Sequence, residues 1–210
     1  VNSQSLLASL EHLDRAFSNF FSGRTGFPKY KKKTGGWQSF QCPQHVRVDI
    51  EQGFIHLPKI KQIKARIHRA FSGAIKTVTV KRTSSGYYFA SVLVDDGVAP
   101  PAATAVIAEQ TLGLDVGLSH ALIDSEGNKT ENPGFLKKSL YRLSVAQKRR
   151  SRQIKGSANS AKQRKKIAII HEKTSNRRHD FIHKKTAELA DKNHATSFAV
   201  EDLHIKGMVK

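Results

Sequence analysis

The chain is poor in cysteine, tryptophan and methionine, with one of each in 210 residues. A lone Cys42 excludes an intrachain disulfide and any CxxC metal or redox pair within these residues. It reads as a small, half-buried strand residue. Acids are also scarce: 17 Asp and Glu face 36 Lys and Arg, for a formal net charge of +19 and a pI of about 10.2. No uncharged apolar run approaches the roughly 20 residues of a membrane span. No charged-then-apolar leader follows Val1. The expectation is a cytoplasmic or nucleoid-associated protein with no membrane segment. With charge so lopsided, nucleic acid is the expected partner, because each neutralised phosphate releases a condensed counterion. An anionic membrane surface is the alternative.

Length allows one large domain or two small ones. Leu6, Leu10, Leu13, Phe17 and Phe20 recur at spacings of three and four, so residues 3–21 are predicted helical, with Asn2 or Ser3 as N-cap. From Trp37 to Asp95 short alternating runs are separated by turns, which suggests a small barrel or curled sheet. Pro100-Pro101, among small residues, marks a boundary. Beyond it residues 111–118, 121–124 and 129–131 read as strands, 135–155 and 159–192 as helices, and 197–203 as a returning strand. That sequence of elements predicts a mixed sheet with helices packed on it, and an α+β fold for the whole chain.

Two carboxylates sit in or beside apolar runs. In Gly113-Leu114-Asp115-Val116-Gly117-Leu118, alternation puts Leu112, Leu114, Val116 and Leu118 on one face and Asp115 between two glycines on the other. Those glycines are expected to leave room for a metal and a phosphate. In Ala199-Val200-Glu201-Asp202-Leu203, Glu201 faces with Ala199. If the strands are neighbours, Asp115 and Glu201 share a face. Two such carboxylates on an apolar sheet repel each other and lose hydration, and a divalent cation resolves both problems. Mg²⁺ suits a few carboxylates plus water and phosphate oxygens, and two such ions can cleave a phosphodiester.

These two blocks, the second continuing to Met208, resemble the first two signature blocks of the RuvC-like nuclease domain in transposon-encoded OrfB (TnpB) proteins. That family is related to the type V CRISPR effectors. The resemblance also takes in Leu13-Asp14-Arg15-Ala16-Phe17, Gly26-Phe27-Pro28-Lys29-Tyr30-Lys31-Lys32-Lys33 and Ile75-Lys76-Thr77-Val78-Thr79-Val80. It implies an RNA-guided, Mg²⁺-dependent DNA endonuclease whose partners are a guide RNA from the transposon end and target DNA. Asp115 and Glu201 carry over as catalytic, metal-binding carboxylates. The implied domains are the end of a helical recognition domain (1–26), an OB-like β-barrel wedge domain (27–100), a linker (101–109) and a RuvC-like, RNase H-like domain (110–210). The family pattern adds a zinc ribbon of paired CxxC motifs and a third catalytic Asp after the second block. The 210 residues carry neither, so the nuclease domain is expected to be incomplete, with zinc only in the part that is missing, and the chain inactive alone.

Residues 137–185 hold 17 Lys and Arg against Glu172 and Asp180 only, a surplus of 15 in the total of +19. Solvated helices ordinarily mix signs to gain i,i+4 pairs. This stretch does not, so it is read as a nucleic-acid surface beside the metal site, binding shape and phosphates rather than sequence. The expected contacts are Lys137, Lys138, Arg142, Arg149, Arg150, Arg152, Arg164, Lys165, Arg177 and Arg178. Lys29, Tyr30, Lys31, Lys32 and Lys33, with Phe27 close by, could add base stacking to phosphate pairing. The alternative readings are a non-catalytic module that holds guide RNA or DNA, and the remnant of a truncated transposase gene.

Overall fold

The leucine and phenylalanine spacing of the first segment folds as a helix, α1 (Ser3–Phe21). The computed structural model describes residues 2–30, 38–100, 102, 105–192 and 195–201. Asn2 stands at the N-cap with extended backbone, and its carbonyl accepts the Ser5 and Leu6 N–H groups at 3.2 and 3.3 Å. Its side chain makes no cap bond. Gly23, at φ +72°, turns the chain out of the helix in a conformation that costs a side-chain-bearing residue. Phe27 then folds back edge-on against Phe17 and Phe20, with ring centroids 5.8 and 5.3 Å apart.

The chain is α+β and divides into two compact units, Val1–Pro100 and Pro101–Lys210. In the first, β1 (Gln38–Cys42), β5 (Ala74–Arg82) and β6 (Tyr88–Asp95) form one antiparallel sheet in the order β1-β5-β6. The strands β2 (Arg47–Asp49), β3 (Phe54–Leu57) and β4 (Lys61–Lys64) form a second. Cys42 and Val78 from the first sheet meet Ile55 and Leu57 from the second, and Val48, Val80 and Val92 pack on them. Cys42 is fully buried here rather than half-buried. The barrel expected from the strand spacing does not form among the described residues: neither sheet closes. A barrel needs every edge strand paired, and here β4 and β6 remain edges. The strand β4 had no signal of its own, since Lys61-Gln62-Ile63-Lys64 is mostly charged or polar. Its pairing with β3, Phe54 opposite Lys64 through Leu57 opposite Lys61, creates it.

In the second unit a 3-10 turn (Ala108–Gln110) leads into β7 (Thr111–Asp115), β8 (His120–Asp124) and β9 (Lys129–Glu131), an antiparallel meander. The helices α2 (Phe135–Ser151) and α3 (Ala158–Lys192) follow, and then β10 (Ser197–Val200). The strand order is β10-β7-β8-β9, with β10 parallel to β7. The helices pair through Leu143, Ala146 and Ile167. Gln163 Nε2 donates to the Ala146 carbonyl at 3.1 Å, and Thr174 Oγ1 to Ser139 Oγ at 3.1 Å. Phe135 meets Phe181 edge-on at 6.2 Å. The helix α2 ends at Ser151, short of the expected 155, and Gly156 at φ +87° reverses the chain into α3.

Candidate functional site: a carboxylate pair and a basic helical hairpin

The register of β7 and β10 is held at its start by side chains. Thr111 Oγ1 donates to the Ile107 carbonyl at 2.7 Å and lies 2.7 Å from Ser197 Oγ. Thr196 N–H donates to the Gln110 carbonyl at 3.0 Å. From that clamp Ser197 pairs with Thr111, Phe198 with Leu112, Ala199 with Gly113 and Val200 with Leu114. Continued by one residue, this register would set Glu201 opposite Asp115. Both are exposed at the carboxyl ends of neighbouring parallel strands. Residues directly opposite share a face, so alternation sets these two acids on one side of the sheet with Gly113 and Ala199. The loop after Asp115 is tied to the entrance of α2: Asn132 Nδ2 donates to the Leu118 carbonyl at 2.9 Å, and Asn132 Oδ1 accepts the Gly134 N–H at 3.1 Å.

The glycines beside Asp115 lie close to the β7–β8 hairpin. A Cβ on Gly113 would meet Ser125 Cβ at 3.4 Å, and one on Gly117 would meet the His120 carbonyl oxygen at 3.1 Å. The first distance is ordinary van der Waals contact and the second is tighter, so only at Gly117 would a side chain require its neighbour to give way. Ser125 closes the Gly113 contact, its N–H donating to the Gly113 carbonyl at 2.9 Å and its Oγ accepting the Gly113 N–H at 3.2 Å.

Asp124 is the nearest further acid in the sheet, and its carboxylate is engaged. Asp124 Oδ2 accepts Asn128 Nδ2 at 2.9 Å, and Oδ1 accepts the Asn128 and Glu126 N–H groups at 2.8 and 3.1 Å. The Asn128 side-chain bond, helped by the two backbone bonds, holds its carboxyl below the ordinary value. It pairs with Leu114, so it projects from the opposite face to Asp115. Among the described residues no group of three or more His, Cys, Asp or Glu is gathered as a metal site. Asp202 and His204 lie outside the described residues. Asp115 and Glu201 are the two exposed carboxylates that could hold a cation here.

All ten expected helix contacts, from Lys137 to Arg178, are exposed. Of the 17 cations in residues 137–185, only Lys184 and Lys185 are in ion pairs among the described residues, with Asp180 and Glu188 at 2.8 Å each. The other 15 face solvent chemistry without an acid at hand. The end of α3 (Lys185, Glu188, Leu189) and the β8–β9 hairpin (Leu122, Asp124, Lys129) jointly line a cleft of about 320 Å³. By alternation Leu122 and Asp124 share the face of Leu112 and Leu114, and Lys129, opposite Ile123, shares that of Asp115.

In the first unit Lys29 and Tyr30 are exposed, Tyr30 at 99 %. Phe27 meets Phe17 and Phe20 edge-on and remains exposed. Lys31, Lys32 and Lys33 lie outside the described residues. Charge counting overlooked a groove of about 400 Å³ along the α2–α3 hairpin, lined by Tyr141, Val145, Gln163 and Ile169 among others. The i,i+4 spacing of Tyr141, Val145 and Arg149 was the available signal for it. No helix among the described residues is long and apolar enough to cross a membrane.

Compared with known proteins, residues 91–210 match the OrfB family of the IS605 type, described as "Probable transposase". A protein of Escherichia coli strain K12 is 36 % identical over 208 residues, covering 99 % of this chain and 50 % of its own length. One of Streptomyces pristinaespiralis is 34 % identical over 214 residues, covering 100 % of this chain and 51 % of its own length. Both carry the name "Putative RNA-guided DNA endonuclease", the first with the designation InsQ. The chain spans about half the length of these curated relatives.

Proposed function

The chain belongs to the OrfB transposase family of the IS605 type, and on that premise we propose that it is the central part of an RNA-guided DNA endonuclease. The Asp115 and Glu201 pair is the metal-binding, catalytic half-site. The exposed cations of α2 and α3 hold the backbone of guide RNA and target DNA. The mixed sheet of the second unit is read as RNase H-like, of the RuvC type, and the two-sheet first unit as the wedge domain. The observation that supports the reading is the parallel β7–β10 register, which continued by one residue would bring together two acids that 85 residues separate in sequence.

Bound between these acids, Mg²⁺ would supply an activated water and charge stabilisation for phosphodiester hydrolysis. Asp115 and Glu201 would each give that ion an oxygen ligand and, being exposed, leave its remaining positions open to water and phosphate. Two carboxylates hold a second ion only loosely. Substrate binding by this chain is therefore expected to be strong and cutting slow, and the two-metal arrangement would need a further acid. The reading as a non-catalytic binding module draws on the same observation, that no third ligand is gathered among the described residues.

The test has two stages. Mn²⁺ in place of Mg²⁺ is titrated into the chain and followed by its electron paramagnetic resonance signal; Asp115→Ala and Glu201→Ala should each abolish specific binding. A version extended to the relatives' length is then incubated with guide RNA, matched DNA and Mg²⁺. Cutting that disappears with Asp115→Ala supports the enzyme. Cutting that survives it refutes the site.

A further inference from the structure

A surface that only gripped phosphates would need cations and nothing else. The flank of the α2–α3 hairpin has more. Val145, Ile169 and Ile170 are half-buried along the groove, and the exposed Arg142, Arg149 and Lys166 stand above them. None of those cations is in an ion pair among the described residues. The groove's volume of about 400 Å³ falls within the range of roughly 300–1,000 Å³ for clefts that take small organic groups. Tyr141 lines it yet is 80 % exposed, so its ring contributes little to packing the helices.

Gln163 adds a polar feature. Its Nε2 donates to the Ala146 carbonyl at 3.1 Å, and because a carbonyl only accepts, that bond fixes the amide's orientation. Its Oε1 accepts no hydrogen bond among the described residues. The groove thus combines an apolar floor, an open aromatic ring, a fixed acceptor and a cationic rim. An unstacked nucleotide has the matching parts: a flat base with N–H groups on its edge, and a phosphate on either side. A duplex keeps its bases stacked inside and cannot offer one.

Resting on the reading of these helices as a nucleic-acid surface, we propose that the groove captures one splayed base of a single strand. Tyr141 stacks on the base, Gln163 Oε1 accepts from its edge, and Arg142, Arg149 and Lys166 take the flanking phosphates. Every base has a face and an N–H or amino donor, so capture is tolerant of sequence.

The experiment compares a single-stranded oligonucleotide carrying one 2-aminopurine with its duplex, by fluorescence anisotropy at fixed salt, on the whole chain. Tyr141→Ala should weaken single-strand binding about tenfold, the scale of one stacked base, and duplex binding less than about twofold. Tyr141→Phe should behave as the parent. The quenching of 2-aminopurine on binding should be lost with Tyr141→Ala. Single-strand affinity unchanged in Tyr141→Ala, or an equal loss on both substrates, overturns the groove and leaves the phosphate surface standing. Tyr141-dependent binding of oligoglutamate, or of a second copy of the chain in sedimentation, also overturns it. Failure to bind either nucleic acid removes the parent reading as well.

Discussion

Three neighbouring charges at the end of α2 give the phosphate surface a quantitative test. Arg149, Arg150 and Arg152 are exposed and outside ion pairs among the described residues. If six to ten of the 15 unpaired cations in residues 137–185 touch phosphates, log affinity for duplex DNA falls against log salt with a slope of about 5 to 9, at roughly 0.9 per contact. That is a loss of about 10³ to 10⁵ between about 50 and 200 mM salt. Replacing all three by Gln removes up to three contacts and should lower the slope by about 2.7. Gln keeps the helix propensity of Arg. It also avoids placing an acid at the negative end of the helix dipole, where Lys148, Arg149 and Arg150 now stand. The assay is anisotropy of labelled duplexes of unrelated sequence over a salt series, and the change should be the same for each, because phosphate contacts carry no sequence information. A slope in the triple variant equal to the parent's would show that this turn does not touch the backbone. A parent slope below about 1 would show that the helices are not the binding surface.

Other outcomes follow from single sites. Asp115→Asn should cut the affinity for Mn²⁺, read by paramagnetic broadening, while duplex affinity in the absence of divalent ions stays within about twofold. Val78, with no exposed surface in the first unit's core, should cost about 2 kcal/mol of stability when changed to Ala, measured by denaturant unfolding; a loss near zero would mean that the two sheets do not pack as described. Asp124, whose carboxyl is held below 3.8 by Asn128 first and then by backbone N–H groups, supports the β8–β9 turn while ionised. A depressed carboxyl contributes above its unfolded value and loses that contribution as pH falls through its folded value. Protection of the Asn128 amide from hydrogen exchange should therefore hold near neutral pH, fade in acid only as Asp124 takes up its proton below the ordinary carboxylate range, and lose this pH dependence in Asp124→Asn.

The elements with strong periodicity were legible. Helix α1 has its expected limits because apolar residues at spacings of three and four meet no breaker before Gly23. The strand β3 likewise follows from Phe54-Ile55-His56-Leu57. Elements made by pairing were not: β4 has the composition of a loop and becomes a strand because β3 supplies its partner. The closed barrel failed for the complementary reason, since short-range alternation says that strands exist but not whether the first meets the last. At the site, the parallel pairing of β10 with β7 that the sequence reading supposed is present, with Val200 opposite Leu114 just before the two acids. Asp124 is a local case that could have been read: an Asp four residues before an Asn across Glu126-Gly127 is a turn-forming pattern.

The strand order also explains why the acid pair and the cationic helices occur in one stretch of chain. The meander β7-β8-β9 leaves the chain at one edge of the sheet, while β10 joins the other edge, parallel to β7. Parallel pairing requires a long crossover, and α2 and α3 are in that connection. Helix α3 has 35 residues, a length of roughly 50 Å at 1.5 Å per residue. No strand of the sheet exceeds five residues, a span of roughly 17 Å. A helix that long cannot bury itself on a sheet that short, so most of its surface must stay in solvent. An inert crossover would neutralise that surface with i,i+4 pairs of mixed sign. Here one i,i+4 pair and one i,i+3 pair occur near the end of α3, Lys184 with Asp180 and Lys185 with Glu188. The remainder of the connection is left cationic. The topology that carries Glu201 to Asp115 thus necessarily exposes a long helical surface, and the sequence has given that surface a single charge.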